Sequence, residues 1–147
     1  EQELTDLLWE RISDQFRAFV GLTAFEALCR AWTLVQARSR RLPMTPELVG
    51  SHWSADAQVD VVAINWLERA ILLGECKWGA EPTDRAVVRE LIEKAPKVAP
   101  GPEWRVHYAF FARAGFTDAA RAEAETVGGL LVDLTRLDTD LRAALSA

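Results

Sequence analysis

The stretch Ile71-Leu72-Leu73-Gly74-Glu75-Cys76-Lys77-Trp78 constrains this chain more than any other. Its apolar first half reads as a buried strand, and that strand ends in two opposite charges. Successive strand residues alternate between faces, so Glu75 and Lys77 share one face and Cys76 takes the other. A carboxylate and an ammonium at the end of an apolar strand cost desolvation free energy unless each is bonded. Fifteen positions upstream, Asp60 interrupts a second apolar run, Gln58-Val59-Asp60-Val61-Val62-Ala63-Ile64. The fold must therefore place two acids and a lysine on adjacent strands and give them partners.

The flanking segments supply the rest of an α/β architecture. Thr5 is the expected N-cap of a first helix with Leu8, Ile12, Phe16 and Phe19 at helical spacing, and Gly21 is expected to break it. A second helix is expected over Thr23 to Arg38, with Phe25, Leu28, Trp32 and Val35 on one stripe. Glu26 sits at the edge of that stripe, four residues before Arg30 and in reach of an ion pair with it. Arg38, Arg40 and Arg41 precede a turn at Pro43 to Pro46 and read either as a solvated connector or as a phosphate-contacting edge. Three short strands follow, Leu48 to Trp53, the Asp60 run and the Glu75 run, joined tightly enough to form an antiparallel meander. Thr83 is the expected cap of a helix carrying Val87, Val88, Leu91 and Ala95, which Pro96 limits. Trp104 to Ala112 reads as a fourth strand, able to pair in parallel through that helical crossover. Thr117-Asp118 starts another helix, Leu130 to Leu134 a fifth strand, and Thr135 a last helix. The expected fold is a mixed central sheet of five strands flanked by helices, as one domain over residues 1–147.

Bulk properties narrow the function classes. A net charge of -5 does not steer the whole chain toward nucleic acid, although a local face can still be basic. Cys29 and Cys76 have no metal-ligand spacing and are too few for a disulfide scaffold, which points to a reducing, cytoplasmic setting. No apolar stretch reads as a membrane span and no signal peptide is evident. A start at Glu1 rather than Met reads as a piece of a longer protein.

An acid-bearing helix, a three-strand meander, an Asp and then Glu-x-Lys together resemble the PD-(D/E)XK nuclease superfamily, the restriction-endonuclease-like fold. Val59-Asp60 stands where that superfamily has Pro-Asp, Glu75-Cys76-Lys77 matches its (D/E)-x-K element, and Glu26 stands where many members place a helix glutamate. Gly74-Glu75-Cys76-Lys77-Trp78 and Ala112-Arg113-Ala114-Gly115-Phe116-Thr117 look like one branch, of unknown function, at the C-terminus of archaeal and bacterial AAA-type (DEXX-box) ATPases. The resemblance implies a metal-dependent endonuclease or phosphodiesterase acting on DNA, as an effector domain of an ATPase. It also admits a catalytically silent module that binds DNA or a protein partner and regulates or oligomerises that ATPase, with a homodimer as one form.

The residue chemistry is consistent with the active form. Mg²⁺ or Mn²⁺ is held by a few carboxylates together with water and substrate oxygens. Asp60 and Glu75 can converge on one ion, with the Cys76 backbone carbonyl as a third ligand and Glu26 approaching from the helix. Lys77 is placed to polarise the attacking water or hold developing negative charge. Cys76 would face the core, and Trp78 would wall the pocket or stack a base. The competing reading makes Asp60 the partner of Lys77 in a structural ion pair, or leaves Glu75 and Lys77 as a satisfied pair without metal. The phosphate loop of an ATPase is absent from this sequence, so any ATPase domain lies outside it.

Overall fold

The computed structural model describes residues 2–146. Five strands form one sheet in the order β1-β2-β3-β4-β5: β1 Leu48–Trp53, β2 Gln58–Asn65, β3 Ala70–Lys77, β4 Arg105–Ala112 and β5 Leu130–Asp133. The first three strands are antiparallel neighbours, whereas β4 pairs with β3 and β5 with β4 in parallel. The parallel pairings are reached through helical crossovers, as expected from the sequence order. Helices α1 Gln2–Arg38 and α4 Leu134–Ser146 cover one face, and α2 Arg85–Val98 and α3 Asp118–Glu125 cover the other.

The unbroken apolar run of β3 follows from this sandwich. Leu72 packs with Phe25, Cys29 and Trp32 of α1, while Ile71 and Leu73 pack with Val88 and Leu91 of α2. A strand covered on both faces needs apolar residues at every position rather than at alternate ones. Gly74 pairs with Val61, and the Val61 and Phe111 side chains of the flanking strands close over it.

Helix α1 corrects two expectations. It runs without a break through Gly21, so the two expected helices are one. The apparent break came from a change of face: Phe16 and Phe25 are nine residues apart, about two and a half turns, and so lie on opposite sides of the helix. Phe25, Cys29 and Trp32 are buried, while Leu8, Trp9, Ile12, Phe16 and Phe19 are exposed. Gly21 is a site of close approach instead, where the Trp78 indole lies against the helix and a Cβ would meet its Nε1. A mid-helix glycine costs only about 1 kcal/mol, too little to stop a helix packed as this one is. The second correction concerns size, since α1 is long and apolar enough by length and composition to cross a membrane. Only the C-terminal half of the helix is in the core, through Phe25, Cys29 and Trp32, and 22% of the apolar window is buried.

Capping is also redistributed. Asp84, not Thr83, caps α2 by accepting the Arg85 N–H at 2.8 Å. Thr83 is instead buried in a bridge to Phe116: its N–H donates to Gly115 at 2.9 Å and its carbonyl accepts from Thr117 at 3.0 Å. Thr117 caps α3 as expected, accepting the Ala120 N–H, and its hydroxyl donates to Asp84.

The packing at Gly74 yields a test. A Cβ there would sit 2.8 Å from the Val61 Cβ and 3.1 Å from the Phe111 ring, neither of which is a flexible chain end. Gly74→Ala is expected to lose about 1–3 kcal/mol of stability in urea denaturation. An unchanged midpoint would contradict the close packing of β2, β3 and β4 at this point.

Candidate active site

The site begins with a parting of strands. β2 and β3 pair from Asn65↔Ala70 to Val61↔Gly74, and there the ladder stops. On the other side of β2 the register shifts, with Gly50 opposite Val62 but His52 opposite Val59, so that Asp60 and Val61 face Ser51 alone. The extra residue is a bulge, which bends a strand and resets its alternation. As a result Val59 belongs to the α2/α3 core and Val61 to the α1/α4 core, although residues two apart normally share a face.

Asp60 fills the gap that opens. Its Oδ2 accepts the Cys76 N–H at 2.8 Å, replacing the backbone carbonyl that a continued ladder would have offered. The Asp60 carbonyl in turn accepts from Arg30 Nη1 at 3.3 Å, which ties this point to α1. Asp60 is only 9% exposed. In a strand the N–H and C=O of one residue point to the same side, so the Cys76 carbonyl faces the same gap as the Asp60 carboxylate.

Glu75 and Lys77 follow the expected alternation. Lys77 Nζ lies 3.5 Å from Glu75 Oε1, and Lys94 Nζ of α2 lies 3.5 Å from Glu75 Oε2. Lys94 also donates to the Gln58 carbonyl at 3.0 Å, which anchors it to β2. Glu75 Oε2 is nevertheless buried without a hydrogen bond, because its contact with Lys94 is one of charge alone. Burial pushes the Glu75 carboxyl above its ordinary range, the Asp60 charge pushes it further, and Lys94 and Lys77 oppose both. Glu26 on α1 is raised in the same way, by burial and then by Asp60, with Arg30 opposing. Asp60 thus sits electrostatically between Glu26 and Glu75.

Several expected partnerships differ from those formed. Asp60 is not paired with Lys77; it takes the Cys76 N–H while Lys77 takes Glu75. Arg30 reaches the Asp60 carbonyl and acts on Glu26 through its charge. Cys76 faces the α1/α4 core as expected, where a hydrogen bond with Cys29 and burial raise its thiol pKa and keep it protonated. Trp78 forms a wall of the adjoining groove, with Phe25 at 5.2 Å, the Arg113 guanidinium 4.5 Å from its ring centre, and Gly21 beside it. Sequence reasoning missed Arg113 as a neighbour of the site. Its position one residue beyond a strand parallel to β3 was the available signal, and its N–H donates to the Lys77 carbonyl at 2.9 Å.

Among the described residues, no three His, Cys, Asp or Glu side chains form a group that could hold a metal by themselves. The donor set instead suits a largely hydrated Mg²⁺ or Mn²⁺, which needs only one or two carboxylates and takes its other oxygens from water and substrate. Asp60, Glu75, whose Oε2 has no hydrogen bond, and the Cys76 carbonyl are the groups that would hold such an ion. Glu26 stands by in the same field.

The raised carboxyls have a pH consequence. Glu75 takes up a proton more readily in the folded chain than at its ordinary value of 4.5. Its contribution to stability is therefore fully present below 4.5 and is lost as pH rises through its raised folded value. Asp60→Asn removes a charge and keeps an acceptor for the Cys76 N–H, so it is expected to lower the Glu75 and Glu26 midpoints in carboxyl ¹³C NMR titrations. Midpoints that do not move would contradict the shared field.

Comparisons with known proteins place these features in a family. No curated protein matches the chain. Among solved structures, the crystal structure of a repair endonuclease from Pyrococcus abyssi is similar, with a TM-score of 0.46 at 14% identity. The alignment covers 72% of this chain and 46% of that one, so the chain spans less than half the endonuclease's length. A family model, DUF234, matches residues 1–90, which include α1, the meander, Asp60 and Glu75-Cys76-Lys77. With more than half of its length matched, the chain belongs to this family, described as archaeal and bacterial proteins of unknown function.

Proposed function

We propose that this domain is a Mg²⁺-dependent phosphodiesterase acting on DNA, and that it serves as the effector of an ATPase whose other domains lie outside this chain. The observation that carries the reading is the gap at the end of the β2–β3 ladder. Asp60 is fixed there by the Cys76 N–H, and Glu75, near enough to feel the Asp60 charge, keeps a buried oxygen without a hydrogen bond and has Lys77 beside it.

Each residue has a role in this reading. Asp60 is oriented by the Cys76 N–H and by the bulge, so its carboxylate is in place before any ligand arrives. Glu75 is drawn toward its ionised form by Lys77 and Lys94 against the burial that opposes it. Lys77, with a side chain 44% exposed, can leave Glu75 to hold charge on a phosphate or orient a water. Lys94 remains on Glu75 and the Gln58 carbonyl as a positioning residue. A bound Mg²⁺ would supply Lewis acidity and lower the pKa of its water.

One observation favours a second reading. Glu75 already has two lysines, and among the described residues no three-ligand group surrounds it, which also fits a nuclease fold that has lost cleavage and binds DNA or a partner. The two readings separate on a supercoiled plasmid. The active form nicks it with Mg²⁺ or Mn²⁺, and Lys77→Ala lowers the rate roughly 10²–10³-fold with an unchanged circular dichroism spectrum. Metal-dependent nicking that survives both Asp60→Ala and Lys77→Ala would remove the site assignment, and absence of nicking with every divalent metal would select the silent module.

A further inference from the structure

Beside Lys77 the molecular surface opens into a groove of about 700 Å³, bounded by Arg17, Ala18 and Gly21 on α1 and by Lys77, Trp78 and Arg113 opposite. Its lining includes three cations and no acid, on a protein whose net charge is -5. Two acids border these cations: Glu75 lies 3.5 Å from Lys77, and Asp14 lies 3.8 Å from Arg17 in a largely exposed pair that offers little resistance to a competing anion. Arg113 is set in place by its backbone bond to Lys77, by its Nη1 contact to the Trp78 carbonyl at 3.4 Å, and by the indole beneath it.

The wall of the groove decides how a ligand is read. The half-buried Trp78 indole lines the groove but has Phe25, Gly21 and the Arg113 guanidinium packed against it, so the cations rather than the ring are offered to a ligand. Its volume is that of a small-ligand site, within the usual range of about 300–1,000 Å³, which suits a short length of one strand rather than a duplex. We infer that this groove takes the phosphodiester backbone of a single nucleic-acid strand, with Arg17 and Arg113 gripping phosphates on either side of Lys77 and no base being read. This rests on the phosphodiesterase reading and names the substrate form and the contacts that the reading leaves open.

The test is fluorescence anisotropy of the intact chain with a labelled oligothymidylate of about 20 nucleotides, in EDTA so that binding is separated from cleavage. Arg17→Gln and Arg113→Gln are each expected to weaken binding about tenfold and to reduce the slope of log affinity against log salt by about 0.7. Ala18→Glu, at an exposed helix position, is expected to abolish binding by placing a negative charge in the groove. It and Arg17→Gln decide the matter if Arg113→Gln disturbs Trp78. An oligomer of mixed sequence should bind equally well, and a duplex more weakly. No binding by the unaltered chain, unchanged affinity in Ala18→Glu, or preference for duplex would each overturn the inference. Mn²⁺ titration of the same variants keeps the two ideas apart: the groove variants should bind Mn²⁺ normally. Loss of oligonucleotide binding with Mn²⁺ binding intact supports the groove, whereas a chain that binds the strand at this groove but never binds Mn²⁺ contradicts the metal-dependent reading alone.

Discussion

The hydrogen bond from the Cys76 N–H to Asp60 Oδ2, 2.8 Å long, is the contact on which the rest of this structure depends. It stands where two antiparallel strands stop pairing, and it satisfies a buried donor that the parting would otherwise leave alone, at a cost of about 1–3 kcal/mol. The bulge opposite Ser51 makes the bond possible by turning Asp60 out of its regular alternation. One extra residue in β2 therefore sets where the sheet opens, which core Val61 enters, and where the first carboxylate of the site points.

The charges around that bond do not amount to a comfortable ion-pair network. Lys77 and Lys94 each approach Glu75 to 3.5 Å, and Oε2, on the Lys94 side, is left buried without a hydrogen bond. The Lys77 side chain is 44% exposed, so water screens much of its attraction. Burial is the largest influence on Glu75, and the neighbouring Asp60 adds to it. Under the proposed function, a cation at this point would relieve the mutual influence of Asp60 and Glu75, in keeping with the concentration of perturbed groups at functional sites.

Much of this was legible in the sequence, and the misses share physical causes. The strand order, the antiparallel meander and the parallel return of Trp104 to Ala112 could be read from apolar runs and connection lengths. The opposite faces of Cys76 and Glu75 followed from alternation alone. Gly21 misled because an apolar stripe that changes face looks the same in sequence as a helix that ends, and only the Trp78 indole shows why glycine is there. Thr83 misled because a threonine before an aspartate fits a cap, whereas its backbone was already committed to the bridge with Phe116. The Asp60 bond could not be read at all. A bulge is a property of two strands in register, and nothing in Val59-Asp60-Val61 announces the residue that will face no partner of its own. The same holds for Arg30 and Arg113, whose roles come from long-range placement.

The central claim is that Asp60 and Glu75 form a metal-holding pair at the parted strands. Calorimetric titration with Mn²⁺ at a pH near neutrality tests it most directly, on the unaltered chain and on Glu75→Gln and Asp60→Asn. Saturable binding of a single ion by the unaltered chain, weakened at least tenfold in both variants, is the predicted result. Absence of binding by the unaltered chain, or equal binding by all three proteins, would contradict the claim and leave Glu75, Lys77 and Lys94 as a purely structural cluster.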